Sequence, residues 1–241
     1  MNIGERMKEY YEKSTRLFLP RRNYGVVRVD GRAFHTYTKG CDRPFDLDLY
    51  NAMRWSAEEL CSSISGTKLA FIQSDEISVV FTDFDNRDTQ MWFDGNIQKI
   101  ASISSSIATA GFSNWLIKNN CMKKFGNKLP IFDARVFTIS NIEEVINYLI
   151  WRQQDYTRNS ISMVARTLYS HKELCNKNTS QMQDMIFEKG INWNDYPNCF
   201  KRGTLLPINM VDGWIGGSME TPIFTADKQI LREILTPKET A

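Results

Sequence analysis

Carboxylates must carry the polar chemistry of this chain, because the alternatives are scarce. Only two histidines are present, His35 and His171, which excludes mechanisms that need several imidazoles as metal ligands or proton shuttles. The five cysteines, Cys41, Cys61, Cys121, Cys175 and Cys199, form an odd set with no C-x-x-C pair. That argues against a disulfide framework and a Cys-rich zinc site. The acids of interest are Asp30, at the end of a Val-rich run, and Asp75 with Glu76, in a polar Ser74-Asp75-Glu76 between two apolar runs. Brought together, they repel one another unless a cation intervenes. Mg²⁺ suits hard carboxylate oxygens and substrate phosphates, and two such ions support an in-line phosphoryl displacement. Gly31-Arg32-Ala33-Phe34-His35 follows Asp30 directly, and a glycine there lets backbone N–H groups approach an anionic phosphate. The competing reading is that such aspartates are turn residues only, and that His35 is a surface or capping group.

The elements have to supply the convergence. Tyr24 to Asp30 reads as a strand. Asp46 caps a helix whose apolar Leu49, Met53, Ala57, Leu60 and Ile64 recur at spacings of three and four before Gly66 stops it. Lys68 to Gln73 and Ile77 to Thr82 form a hairpin with its carboxylates at the bend. A second helix runs from about Asn96 to Asn119 on Ile97, Ile100, Ile103, Ile107 and Ala110, and Pro130 to Thr138 gives a fourth strand. The order is β-α-β-β-α-β, a ferredoxin-like split unit of the α+β class. In it the crossover helix makes strand two parallel to strand one, and the hairpin returns strand three beside strand one. The end of strand one then adjoins the bend, and Asp30 meets Asp75. We expect a catalytic domain over 1–140, including an N-terminal helical arm, and a helix-rich region over 141–241. The latter opens with a capping box at Ser140-Asn141-Ile142-Glu143, continues past Ser170 and Glu188, has its last helical pattern ended by Gly190, and closes on a hairpin at Asp212-Gly213.

With 42% hydrophobic and 24% charged residues the chain buries a sizeable core and is not disordered. No apolar run reaches the roughly 18 residues of a membrane span, and the charged N-terminus lacks a signal-peptide stretch, so the expectation is a cytoplasmic protein without a membrane partner. A net charge of +2 is not that of a strongly basic nucleic-acid binder, but the charge is segregated. Gln73 to Asn96 carries six acids against Arg87 and could concentrate cations. Lys118, Lys123, Lys124 and Lys128 form a basic island, and Arg152, Arg158, Arg166, Lys172, Lys177, Lys201 and Arg202 outnumber the acids among them. The plain alternative for each cluster is a solvated face.

The strings Arg28-Val29-Asp30-Gly31-Arg32-Ala33-Phe34-His35, Arg43-Pro44-Phe45-Asp46 and Gln73-Ser74-Asp75-Glu76-Ile77-Ser78 resemble, in this order, the tRNA-histidine guanylyltransferase superfamily. Phe132-Asp133-Ala134-Arg135-Val136, Trp151-Arg152-Gln153-Gln154-Asp155, Ser170-His171-Lys172-Glu173-Leu174 and Phe200-Lys201-Arg202-Gly203 look like its guanylyltransferase-like branch. The resemblance implies a polymerase palm and 3′-to-5′ nucleotide addition to the 5′ end of tRNA. It implies two Mg²⁺ ions on Asp30, Asp75 and the Gly31 carbonyl, with Glu76 in the same catalytic motif. A triphosphate would lie in the Gly31, Arg32, Ala33, Phe34 and His35 turn, and Ser74, Arg43 and Asp46 would line the nucleotide and 5′-activation pocket. GTP and other nucleoside triphosphates would be added, ATP would activate a 5′-monophosphate, and tRNA would span a homotetramer, a dimer of dimers. Arg152, Arg158, Asn159, Lys201 and Arg202 are the candidate RNA contacts; Arg152 and Arg158 could instead solvate a helix. The family commonly has lysine where Arg43 stands, which keeps the charge but turns a point donor into a planar fork. The His-Ile-Asn-Asn-Leu-Tyr-Asn string of the eukaryotic histidine-specific enzymes is absent, with Tyr156-Thr157-Arg158-Asn159-Ser160 near its place. That favours template-directed repair of 5′-truncated tRNA over untemplated guanosine addition. A nucleotide cyclase and a non-catalytic RNA-binding module are the other classes considered. The first lacks a Gly-Gly-Asp-Glu-Phe string, and the retained carboxylates speak against the second.

Overall fold

The computed structural model describes residues 1–209, 214–215 and 220–237. In chain order the elements are α1 (Ile3–Met7), β1 (Tyr24–Gly31), α2 (Phe34–Tyr37), α3 (Leu47–Ser63), β2 (Thr67–Gln73), β3 (Glu76–Phe81), α4 (Ile97–Lys118) and β4 (Phe132–Ile139). They continue with α5 (Ile142–Leu168), α6 (His171–Leu174), α7 (Thr179–Glu188), α8 (Asn198–Arg202), β5 (Thr204–Asn209), β6 (Trp214–Ile215) and α9 (Gln229–Leu235). The sheet order is β4-β1-β3-β2-β5-β6. Its first four strands are the expected split unit, and β5 extends it antiparallel to β2.

Both faces of the sheet are covered, which is why β1, β2 and β3 read as near-continuous apolar runs and not as alternating ones. Val27, Val29, Ile72, Ile77 and Val79 pack with Met53 and Leu60 of α3 and Phe112 and Leu116 of α4. Their neighbours Val26, Leu69, Phe71 and Val80 face the other way, against Val145, Ile146 and Leu149 of α5 and Leu231 and Leu235 of α9. The second half of α5 leaves the sheet and forms a third cluster: Ile161, Val164 and Ala165 with Leu174, Ile186 and Trp193.

The caps show where local chemistry sets the boundaries. Asp46 accepts from the Leu49 N–H at 2.9 Å and Asn96 from the Lys99 N–H at 3.0 Å, each starting its helix as a side-chain acceptor should. At α5 the cap lies one residue later than the expected capping box: Asn141, not Ser140, accepts from the Glu144 N–H at 2.9 Å. Gly190 does follow α7 with φ 75°, but it does not end the last helix, since α8 and α9 come after it. The hairpin turn expected at Asp212-Gly213 lies outside the described residues. The N-terminal arm makes an isolated β-bridge, Phe18 to Asn96, and Met1, Ile3, Tyr10, Tyr11, Leu17 and Phe18 are all exposed. Among the described residues no helix is long and apolar enough to cross a membrane.

Candidate active site

The strand register brings the two aspartates together. Asp30 stands opposite Glu76 on β3 and opposite Asp133 on β4, and the Gly31 N–H donates to the Asp75 carbonyl at 3.0 Å. Ser74 and Asp75 form the turn between β2 and β3, with Ser74 in the left-handed region at φ 49°. Burial, and then the Asp30 carboxylate, push the Asp75 carboxyl up to about 6. The Arg135 guanidinium, 3.5 Å from Asp30, offsets part of that repulsion.

Glu76 is positioned differently from its neighbour. Arg152 reaches from α5 and donates to both of its oxygens, Nε to Oε1 at 2.9 Å and Nη2 to Oε2 at 2.8 Å, and the Gln73 amide adds a third bond at 3.0 Å. Burial still holds the Glu76 carboxyl above its ordinary value despite the guanidinium. Two expectations are corrected here together. Glu76, expected among the catalytic acids, is bound up in a buried ion pair, and Arg152 is its partner and not an RNA contact on the surface. Among the described residues no three histidine, cysteine or acid side chains form a group able to hold a metal ion. Asp30 and Asp75 nevertheless fit a hard cation, because the repulsion between them is relieved by one. Such a cation would take its other ligands from backbone, water and substrate phosphate, as Mg²⁺ commonly does.

The turn after Asp30 uses its glycine for packing. A Cβ on Gly31 would lie 2.4 Å from the Phe34 ring, while the positive φ, 55°, belongs to Ala33. The Gly31 and Arg32 amides are engaged by the Asp75 and Ile131 carbonyls, so a phosphate could meet at most the amides from Ala33 onward. Phe34 is buried among aromatics, with Phe112 edge-on at 5.8 Å. His35 is exposed, its Nε2 3.0 Å from the Thr36 hydroxyl.

Beside this turn opens a cavity of about 290 Å³. Of the expected residues, Phe34, His35, Arg43, Asp46, Ser74 and Asp75 line it, whereas Asp30, Gly31, Arg32, Ala33 and Glu76 lie outside the lining. Asp46 is mainly a structural anchor: it accepts from the Asp42 and Leu49 amides and from Lys124 at 2.7 Å. Burial opposes its charge, but Lys124 and those amides outweigh it and hold the carboxyl below its usual range. Three wall features were not anticipated. Phe45 and Phe200 stack nearly parallel, centroids 4.8 Å apart at 4°. Tyr156, buried, sits by the Ser74 backbone, and burial drives its hydroxyl pKa upward. Arg166 contributes an exposed guanidinium. Tyr156, Met163 and Arg166 recur on α5 at spacings of seven and three, one helical face, and that was the available signal.

The remaining charged candidates divide by direction. Arg158 and Asn159 are exposed, Arg158 holding Asp155 at 3.0 Å, and Arg202 is half-buried against Asn198 at 2.9 Å. Lys201 corrects the expectation of an RNA contact: it is buried, bonded to the Asn194 carbonyl and 5.9 Å above the Trp193 ring. Further along the acid-rich stretch, Asp83 pairs with Arg21 and Asp85 with Lys68.

The chain is similar to several known proteins over most of its length. A family model described as tRNA-His guanylyltransferase, Thg1, matches residues 4–140. A bacterial tRNA(His) guanylyltransferase (Thg1)-like protein in complex with ATP is 43% identical, with a TM-score of 0.88 over 98% of this chain and 100% of that one. A bacterial Thg1-like protein in complex with GTP is 41% identical, with a TM-score of 0.81 over 96% and 98%. The tRNA(His) guanylyltransferase of Kluyveromyces lactis is 32% identical over 206 residues, 76% of this chain and 81% of its own length.

Proposed function

Because the chain belongs to the tRNA-histidine guanylyltransferase (Thg1) family of nucleotidyltransferases, we propose that it adds nucleotides to the 5′ end of tRNA in the 3′-to-5′ direction, with Mg²⁺. Its principal activity in this reading is template-directed repair of 5′-truncated tRNA. The observation that carries it is the meeting of Asp30 with Asp75, itself a lining residue of an aromatic-walled cavity. Asp30 and Asp75, with the Gly31 carbonyl, are the residues that would hold two Mg²⁺ ions. Bound there, the metal would supply activation of the attacking 3′-hydroxyl and charge stabilisation at the leaving group, AMP from an ATP-activated 5′ end or pyrophosphate from a 5′-triphosphate. The chain's own groups do the rest. Phe45, Phe200 and Tyr156 wall a planar base. Arg43 and Arg166 offer guanidinium forks to phosphate oxygens. Ser74 and the amides from Ala33 onward complete the nucleotide contacts, and Arg152, paired with Glu76, offsets part of the charge that this third carboxylate sets beside Asp75.

ATP and GTP, each bound by a similar bacterial protein, are the expected activating and incoming nucleotides. Arg158, Asn159 and Arg202 on the 141–241 region are the tRNA contacts, and the exposed apolar arm supports assembly into a tetramer. Untemplated guanosine addition to histidine tRNA is the second reading, favoured by the names of the relatives.

One assay separates these. The parent should extend a 5′-truncated tRNA with whichever labelled nucleotide matches the opposite base. Guanosine added regardless of that base would select the second reading. Asp30→Ala and Asp75→Ala should each lower addition by at least about 100-fold, on the scale of several kcal/mol of transition-state stabilisation. Activity within a few-fold of the parent in either would reject the metal assignment.

A further inference from the structure

In the sequence Lys124 belongs to a basic island that could face phosphate. The fold uses it otherwise. It sits in the short helical turn Met122–Phe125 after α4, and its ammonium lies 2.9 Å from Asp42, 2.7 Å from Asp46 and 2.8 Å from Asp48. An ammonium has three N–H donors, one for each carboxylate. Asp42 and Asp46 line the cavity, Arg43 and Phe45 stand between them on the same wall, and Asp48 lies outside the lining in the first turn of α3. Without the ammonium, three carboxylates on one short segment would drive it apart.

A backbone contact fixes the same segment from its other end. A Cβ on Gly40 would lie 2.4 Å from the Lys124 carbonyl oxygen, so the chain entering the wall is pressed onto the turn that carries the lysine. Tyr37, just before it, stacks on Phe125 with centroids 5.3 Å apart. The wall is thus held by a turn that contributes no side chain of its own to the cavity.

We propose that Lys124 is a positioning residue of the cavity: its three-way bond to Asp42, Asp46 and Asp48 holds the 41–46 wall, with Arg43 and Phe45, in the shape that receives a nucleoside triphosphate. This rests on reading the cavity as a nucleotide site, and the test keeps the two ideas apart. GTP and ATP binding to the full chain is measured by titration calorimetry, and nucleotide addition under steady state gives KM and kcat separately. A parent that binds neither nucleotide defeats the reading of the cavity itself. With a parent that binds, Lys124→Met should weaken GTP binding and raise KM at least tenfold, with kcat at saturating GTP within threefold. Lys124→Arg, which keeps the charge, should return KM to within threefold of the parent. Equal GTP affinity in the parent and Lys124→Met, or a fall in kcat at unchanged KM, overturns the proposal. If Lys124→Met does not fold, Asp48→Asn decides. It removes one strut from outside the cavity and should raise KM two- to fivefold, and an unchanged GTP affinity in that variant overturns the proposal equally.

Discussion

Asp75 is an anion in a place that disfavours one. Its carboxyl titrates near 6 in the fold against an ordinary 3.8, so between those values the folded chain binds the proton more tightly than the unfolded chain. Stability therefore falls as pH rises from about 4 to about 6, and the full cost is present above that window. Asp75→Asn should melt at a higher temperature than the parent at pH 7.5, by several degrees for a cost on the order of 3 kcal/mol. The difference should close below pH 4. Thermal melts from pH 4 to 7.5 in the presence of a chelator check this. A parent more stable than Asp75→Asn at pH 7.5 and equal to it at pH 4 would reverse the sign and refute the argument. Added Mg²⁺ should raise the melting temperature of the parent and leave the asparagine variant unmoved.

At the scale of elements, α5 does the connecting. Its first half packs on the sheet, Arg152 reaches Glu76, and Tyr156 and Arg166 pass on to the cavity. Arg152→Met leaves the Glu76 carboxylate buried without its partner, which costs about 3–5 kcal/mol. Urea denaturation should show that loss, and Arg152→Met with Glu76→Met should recover most of it. A double variant no more stable than the single would mean that the pair contributes by packing alone. The palm elements were legible because period and caps are local: Asp46 and Asn96 announce α3 and α4, and the Ser74-Asp75 turn separates two apolar strands. Strand order followed from topology, and with it the Asp30–Asp75 meeting. The Arg152–Glu76 pair was not legible, since nothing in the spacing tells which turn of a 27-residue helix faces the hairpin. Phe45 and Phe200 lay inside motifs already singled out, but stacking between segments so far apart depends on α8 docking beside the 41–46 wall. Lys124 and Lys201 were misread for a shared reason. A basic residue in a run of bases looks solvated, and only the fold reveals acids or carbonyls arriving from elsewhere.

At the scale of the molecule, the arm over 1–18, tied to the body at Phe18, carries a run of apolar side chains in solvent. Apolar surface of this kind marks an interaction site, and a second copy of the chain is the occupant that the tetramer reading requires. Deleting residues 1–18 should lower the mass seen by light scattering while the circular dichroism of the body is retained. An unchanged mass would detach the arm from assembly. The sheet itself carries a different consequence through β5. Leu69 on β2 pairs with Pro207, so a wholly buried strand waits for a partner made much later in synthesis. Until the ribosome has released that later stretch, the backbone donors and acceptors on the edge of β2 away from β3 stay open to any neighbouring polypeptide. The hazard belongs to the chain's birth and not to its working life, and a chaperone that shields the nascent edge would relieve it.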